Sequence, residues 1–314
     1  MNAEKAKPIM VFFYKANDDS SKLMFNTTFS RKEVCAYTNA KYYPVKLDVN
    51  SKEAITFMDG KVYTKNPAKP YHDLATLLLG ANPTVPTVIL YDEQNNGFSF
   101  KGYKKYYDML CMLVYVAENV QKTTKYDIWA PAYFRTFPPD KQAIHIPLVI
   151  NWLPLKEALT KNKENPKGIF LTFYTKNSAA SSVMLVNAFS HNMVAKYMND
   201  NFYCVRIDAQ TMDTLIWDKQ YVNKRGPGNY NELAKTMMKD KMQFPSIFFF
   251  DKTNRLILNE NLYLSPEALY LLSNYVVSES YKTKQFADFI KTFKFEFNDI
   301  VPREHPNAEP AVKP

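Results

Sequence analysis

The chain is 314 residues long, more than one ordinary α/β core of about 100 to 150 residues uses and enough for two. With 46% hydrophobic and 23% charged residues, 22 Tyr, 22 Phe and only 7 Gly, the composition excludes a disordered chain and predicts aromatic-rich cores. A formal net charge of +9 favours acidic partners, but no dense Lys/Arg block accompanies it, so charge alone names no function.

Residues 1–7 carry Lys5 and Lys7 but no apolar stretch ahead of a small-residue cleavage site. The longest mostly apolar run, residues 109–117, falls far short of the roughly 20 residues that span a bilayer. The expectation is a soluble protein of the cytoplasm.

In chain order, residues 9–14 form a β-branched and aromatic run that predicts a central strand. Asp18 is suited to cap the short helix that follows. Ser30 opens a Ser-x-x-Glu box ending at Glu33 and so predicts the start of a second helix, with Val34 and Tyr37 on one face. A strand over 42–47 closes on Asp48. After residues 55–63 and a turn-rich stretch at 66–70 comes a helix over 71–79, with Leu74 and Leu78 at helical spacing. Strands over 87–91 and 97–101 flank a polar turn as a hairpin. A helix over 103–119 then sets Tyr107, Leu110, Val114 and Ala117 on one stripe.

Pro131, Pro138, Pro139 and Pro147 stand among aromatics, so residues 126–150 are predicted as a stiff, ordered connecting segment. A helix over 152–162 carries Leu155 and Leu159 and ends at Asn165-Pro166-Lys167-Gly168. The earlier grammar then returns: a strand over 169–174, Ser190 as a helix cap, a strand over 202–207, residues 214–222 and the loop Arg225-Gly226-Pro227-Gly228. A helix over 230–239 presents Leu233 and Met237, and strands over 246–250 and 255–259 make the second hairpin. Ser265-Pro266 opens a helix with Leu269, Leu272 and Val276 inward. A last helix over 284–293, apolar at Phe286, Phe289, Ile290 and Phe293, is expected to pack on the second domain, and residues 299–314 form a polar tail.

The two halves match residue by residue. Phe13-Tyr14, Met24, Phe29-Ser30, Val34, Tyr37, Asn39, Tyr43, Val45 and Asp48 meet Phe173-Tyr174, Met184, Phe189-Ser190, Val194, Tyr197, Asn199, Tyr203, Val205 and Asp208, every pair 160 positions apart. Past a one-residue adjustment, Tyr71, Leu74, Ala75, Pro86, Asp92 and Asn95 meet Tyr230, Leu233, Ala234, Pro245, Asp251 and Asn254. Such a register is the mark of a duplicated folding unit. The predicted organisation is one domain at 1–125, the connecting segment at 126–150, a second domain at 151–298 and the tail at 299–314.

Strand, helix, strand, helix, hairpin and closing helix resembles the thioredoxin fold. Val85-Pro86-Thr87 and Phe244-Pro245-Ser246 are similar to that superfamily's proline before its third core strand, which the resemblance implies is cis and beside the active site. The segments following Phe13-Tyr14 and Phe173-Tyr174 resemble the one in which such proteins carry Cys-x-x-Cys. Here the two cysteine positions fall on Asp18 and Ser21, and again on Ser178 and Ser181. The chain is thus expected to be α/β, two thioredoxin-like domains, each a central mixed β-sheet flanked by helices, similar to bacterial thioredoxin-like proteins but lacking both motifs.

Thiol exchange needs a thiolate and a second sulfur to resolve the mixed disulfide. Cys35, Cys111 and Cys204 lie far from one another in sequence and are expected as buried structural thiols. Asp18, Asp19 and Asp48 are expected as caps and turn residues more than as ligands of a hard cation. His72 and His145 stand alone, His191 lies near a helix start and His305 belongs to the tail, so no metal or cofactor motif appears. The leading expectation is a redox-inactive protein-binding or assembly scaffold that takes an unidentified protein or extended peptide beside the prolines, through Val85, Pro86, Phe244 and Pro245. The alternatives are a thiol-handling protein using one isolated cysteine and a basic nucleic-acid-associated protein.

Overall fold

The computed structural model describes residues 7–139, 149–239 and 241–295. Residues 1–6, part of the connecting segment at 140–148 and the predicted tail at 299–314 lie outside the described residues. These form two compact units: residues 7–126, 139 and 177–180 in the first, and residues 127–138, 149–176, 181–239 and 241–295 in the second.

The first unit runs β1 (Ile9–Tyr14), α1 (Asp19–Thr27), α2 (Lys32–Lys41), β2 (Tyr43–Asp48), the short hairpin β3 (Ile55–Thr56) and β4 (Val62–Tyr63), α3 (Asp73–Leu79), β5 (Thr87–Tyr91), β6 (Gly97–Lys101) and α4 (Tyr106–Ala117). Its sheet has the order β2-β1-β5-β6, with β1 parallel to β2 and antiparallel to β5. Because side chains alternate across a strand, Val11 and Phe13 of β1 join Leu47, Leu74, Ile89 and Tyr91 in one core while Met10 and Phe12 face the opposite layer. Both faces of β1 are buried, which is why it reads as a continuous apolar run.

From Tyr126 onward come α5 (Tyr126–Thr136) and α6 (Leu155–Glu164), then β7 (Ile169–Tyr174), α7 (Ala179–Asn187), α8 (Asn192–Asn201), β8 (Tyr203–Asp208), β9 (Leu215–Ile216), β10 (Gln220–Tyr221), α9 (Glu232–Met238), β11 (Ser246–Phe250), β12 (Leu256–Glu260), α10 (Pro266–Val277) and α11 (Phe286–Thr292). The second sheet has the same mixed pattern, β8-β7-β11-β12, over a core of Leu171, Phe173, Ile207, Leu233 and Phe248. Gly168, entering β7 at φ 113°, could not carry a side chain: a Cβ there would stand 2.9 Å from the Phe250 carbonyl oxygen.

The repeat reaches further than the sequence comparison carried it. After α4, Asn119 adopts a left-handed φ of 59° and a 3-10 turn over Val120–Lys122 follows; after α10, Glu279 does so at 53° before Ser280–Lys282. Tyr115 donates its hydroxyl to the Thr124 carbonyl at 2.9 Å, and Tyr275 donates to that of Lys284 at 2.6 Å. Residues 127–138, within the predicted connecting segment, pack in the second unit and are helical as far as Thr136, and there the fully buried Trp129 meets the Tyr263 ring at 5.1 Å.

Several local expectations need correction. Ser30 and Ser190 cap nothing: α2 and α8 start one residue later, behind Arg31 and His191, and the two serines donate to the carbonyls of Asn26 and Leu185. Of the stripe assigned to residues 103–119, Val114 is buried and the rest is not. Tyr107, Leu110 and Ala117 are half-exposed, whereas Met109 and the run Cys111 to Val116 are buried, because α4 is enclosed nearly all round and leaves no clean amphipathic signal. The helix expected from residue 152 begins at Leu155, and Trp152 instead bridges to Cys204. His72 is fully buried and caps α3: Nδ1 accepts from the Leu74 amide at 3.1 Å and Nε2 donates to the Glu53 carbonyl at 3.0 Å. Asn231 makes the equivalent cap on α9.

Candidate functional site

At the end of β1 the chain turns into α1, and the two positions where sulfurs are expected hold each other by oxygen. The Asp18 carboxylate accepts from the Ser21 amide at 2.6 Å and from the Ser21 hydroxyl at 2.7 Å. One carboxyl oxygen thus caps the helix and ties down the second motif position, and the short Asp-x-x-Ser spacing is sufficient to produce it. Antiparallel pairing of Phe13 with Thr87 brings Pro86 opposite Tyr14, at the same end of the sheet. The Val85-Pro86 peptide bond is cis, as is Phe244-Pro245.

The second pair of positions is organised differently. Residues 177–180 cluster with the first unit, and there Glu118, just past the end of α4, is buried and faces the start of α7. Ser178 donates its hydroxyl to Glu118 Oε2 at 2.9 Å; the amide of Ala180 donates to the same oxygen at 2.8 Å and that of Ala179 to Oε1 at 3.2 Å. Tyr37 adds its hydroxyl to Oε1 at 3.0 Å. A carboxylate remote in sequence therefore satisfies the helix's first amides. Ser181 is buried as well. The sequence reading missed Glu118, although one signal was present: an acidic residue at the carboxyl end of a helix opposes the macrodipole.

The four groove residues differ in exposure. Val85 is half-exposed and leans on the first core, and Pro86 is buried. Among the described residues, neither the amide nor the carbonyl of Val85 has a hydrogen-bond partner. Phe244 is 8% exposed, its ring 5.5 Å from that of Tyr230, and Pro245 is buried.

None of Cys35, Cys111 and Cys204 is in a disulfide. Cys204 is wholly buried, and loss of hydration pushes its thiol up to about 12. Cys35, half-buried, donates to the Phe29 carbonyl at 2.8 Å. Asp18 caps α1 and Asp48 accepts from the Asn50 amide in the turn after β2, while Asp19, the first residue of α1, pairs with Lys22 at 3.8 Å in solvent. His191 is half-buried, and desolvation lowers its pKa. Among the described residues no group of His, Cys, Asp or Glu is placed to hold a metal ion, and no helix is long and apolar enough to cross a membrane.

Residues 1–117 match a family model described as a thioredoxin-like domain. Residues 141–260 match a second model, Thioredox_DsbH, described as a protein of unknown function, DUF255. No curated protein matches the chain. Similar solved structures include a DsbH oxidoreductase, 15% identical over 48% of this chain and 99% of that one, with a TM-score of 0.30. A thioredoxin-fold protein from Helicobacter pylori is 11% identical over 50% of this chain and 91% of that one, with a TM-score of 0.31. Chloroplastic thioredoxin z is 16% identical over 36% and 81%, with a TM-score of 0.25. Two matching domain models, two mixed sheets of one topology and oxygen at all four motif positions make the chain a tandem of two thioredoxin-like domains, both lacking the Cys-x-x-Cys pair.

Proposed function

We propose that the chain is a noncatalytic recognition scaffold that holds an extended peptide at the end of its first sheet, beside Pro86. Support comes from Val85, whose backbone donor and acceptor lack partners among the described residues while its side chain stays half-exposed. An extended peptide satisfies such groups by adding to the backbone as a strand does. In the second unit the corresponding groove is the one beside Pro245, where the Phe244 ring is committed to the core against Tyr230.

Thiol handling has less support. Cys204 is buried with its thiol pushed up to about 12, and a thiol without access or thiolate character is a poor nucleophile. Peptides selected by display on the full chain and titrated against the parent protein and Val85→Asp test the groove. Weakening by about tenfold or more, with an unchanged circular dichroism spectrum, supports it. Undiminished affinity of every selected peptide for the variant rejects it.

A further inference from the structure

In the second unit the outer edge of the sheet is covered from within the chain. Trp152 bridges in parallel to Cys204 of the edge strand β8, and the Leu153 amide donates to the Cys204 carbonyl at 2.8 Å. Asn199 holds the same passing segment at two points, its Oδ1 accepting from the Asn151 amide at 2.8 Å and its Nδ2 donating to the Val149 carbonyl at 2.9 Å. The Trp152 ring lies 6.3 Å from Phe170 and 5.1 Å from Phe189. Beneath this cover Cys204 is 1% exposed.

The first unit keeps the receiving surface. Subtracting the repeat spacing, Cys204, Val205, Asn199, Phe170 and Phe189 become Pro44, Val45, Asn39, Met10 and Phe29. Those five residues line one groove of about 340 Å³ along β2. Pro44 is exposed. Asn39 is exposed and its side-chain amide has no partner among the described residues, although the same amide clamps a strand in the other half. β2 is the edge strand, and since the Tyr43 amide donates inward to the Pro8 carbonyl, alternation turns the backbone of Pro44 and Lys46 to the open side. The Thr38 hydroxyl, also in the groove lining, is buried without a partner among the described residues. An open edge with an apolar groove beside it is a template for strand addition.

We propose that the β2 edge receives, in parallel, an extended segment of a partner protein bearing a tryptophan followed within two or three residues by acidic side chains. The tryptophan fills the groove over Met10, Phe29 and Val34, with its indole N–H directed to the Thr38 hydroxyl. The backbone one residue before it donates to Asn39 Oδ1, the carbonyl three residues before it accepts from Asn39 Nδ2, and the amide after it donates to the Pro44 carbonyl. Parallel alignment carries the following residues past the exposed Lys46, which accounts for the acidic requirement. This surface is separate from the groove at Val85 and stands without it.

The test is fluorescence anisotropy of a labelled peptide, Val-Ile-Asn-Trp-Leu-Asp-Glu, titrated with the full chain. Saturable binding is expected, weakened about tenfold or more by Asn39→Ala and by Trp→Ala in the peptide, yet unchanged by Val85→Asp. Asn39 is exposed, and an unchanged circular dichroism spectrum of Asn39→Ala is the folding control. Absence of saturation at about 1 mM chain, or binding indifferent to Asn39→Ala, overturns the proposal. Binding that appears only after residues 296–314 are removed also overturns it, because the occupant is then the chain's own end.

Discussion

The starts of α1 and α7 are equivalent by sequence and are held by opposite means. Asp18 caps α1 from the residue next to it, and Ser21 completes the loop three positions on. The start of α7 offers no carboxylate of its own and takes that of Glu118, sixty residues away from Ser178. Once sulfur is gone, the helix start keeps its unsatisfied amides, and something must accept from them. A local acceptor leaves its surroundings free to change; a remote one ties residues 178–180 to the residue that ends α4.

Removing the remote acceptor should therefore have the largest effect. Glu118→Ala strands the Ser178 hydroxyl and the amides of Ala179 and Ala180 away from water, at a cost of roughly 3 kcal/mol. Hydrogen exchange at those two amides should quicken by about a hundredfold, with Glu118→Gln recovering part of the protection because one acceptor oxygen survives. Unchanged exchange in Glu118→Ala would mean that α7 is held by other contacts and the contrast is false.

Asp18→Ala should cost less, about 1 to 2 kcal/mol, and Asp18→Asn only a fraction of that, since an amide oxygen still caps. Thermal unfolding of the two variants beside Glu118→Ala ranks the effects directly. If Asp18→Ala proved the more damaging, locality would not be what separates the two helix starts.

The difference between the halves also governs what the sequence could reveal. β1, β5, β7 and β11 are short, buried on both faces and rich in β-branched and aromatic residues, so their bounds were legible from the run alone. The Asp18 cap was legible for the same reason: donor and acceptor lie three residues apart. Glu118 was not, because its partners are set by the fold. Ser30 and Ser190 illustrate the converse error, a capping pattern present in sequence whose hydroxyls return to the preceding turn instead. Asn39 and Asn199 were visible as a matched pair, yet only the backbone held by Asn199 shows what the amide is for.

The smallest effect tests whether the halves differ only where their sequences do. Tyr115 and Tyr275 occupy equivalent places, each donating to a carbonyl nine residues ahead, with a ring 5.2 Å away at Tyr126 or Phe286. Tyr115→Phe and Tyr275→Phe each delete one hydroxyl, so each should lower stability by about 1 kcal/mol. The two losses should agree within a few tenths of a kcal/mol if the rings and turns are as alike as their geometry. A Tyr115→Phe loss several times that of Tyr275→Phe would place a second difference between the repeats at the turn after α4, beside Glu118, where a single residue otherwise distinguishes a helix end that supplies an acceptor from one that does not.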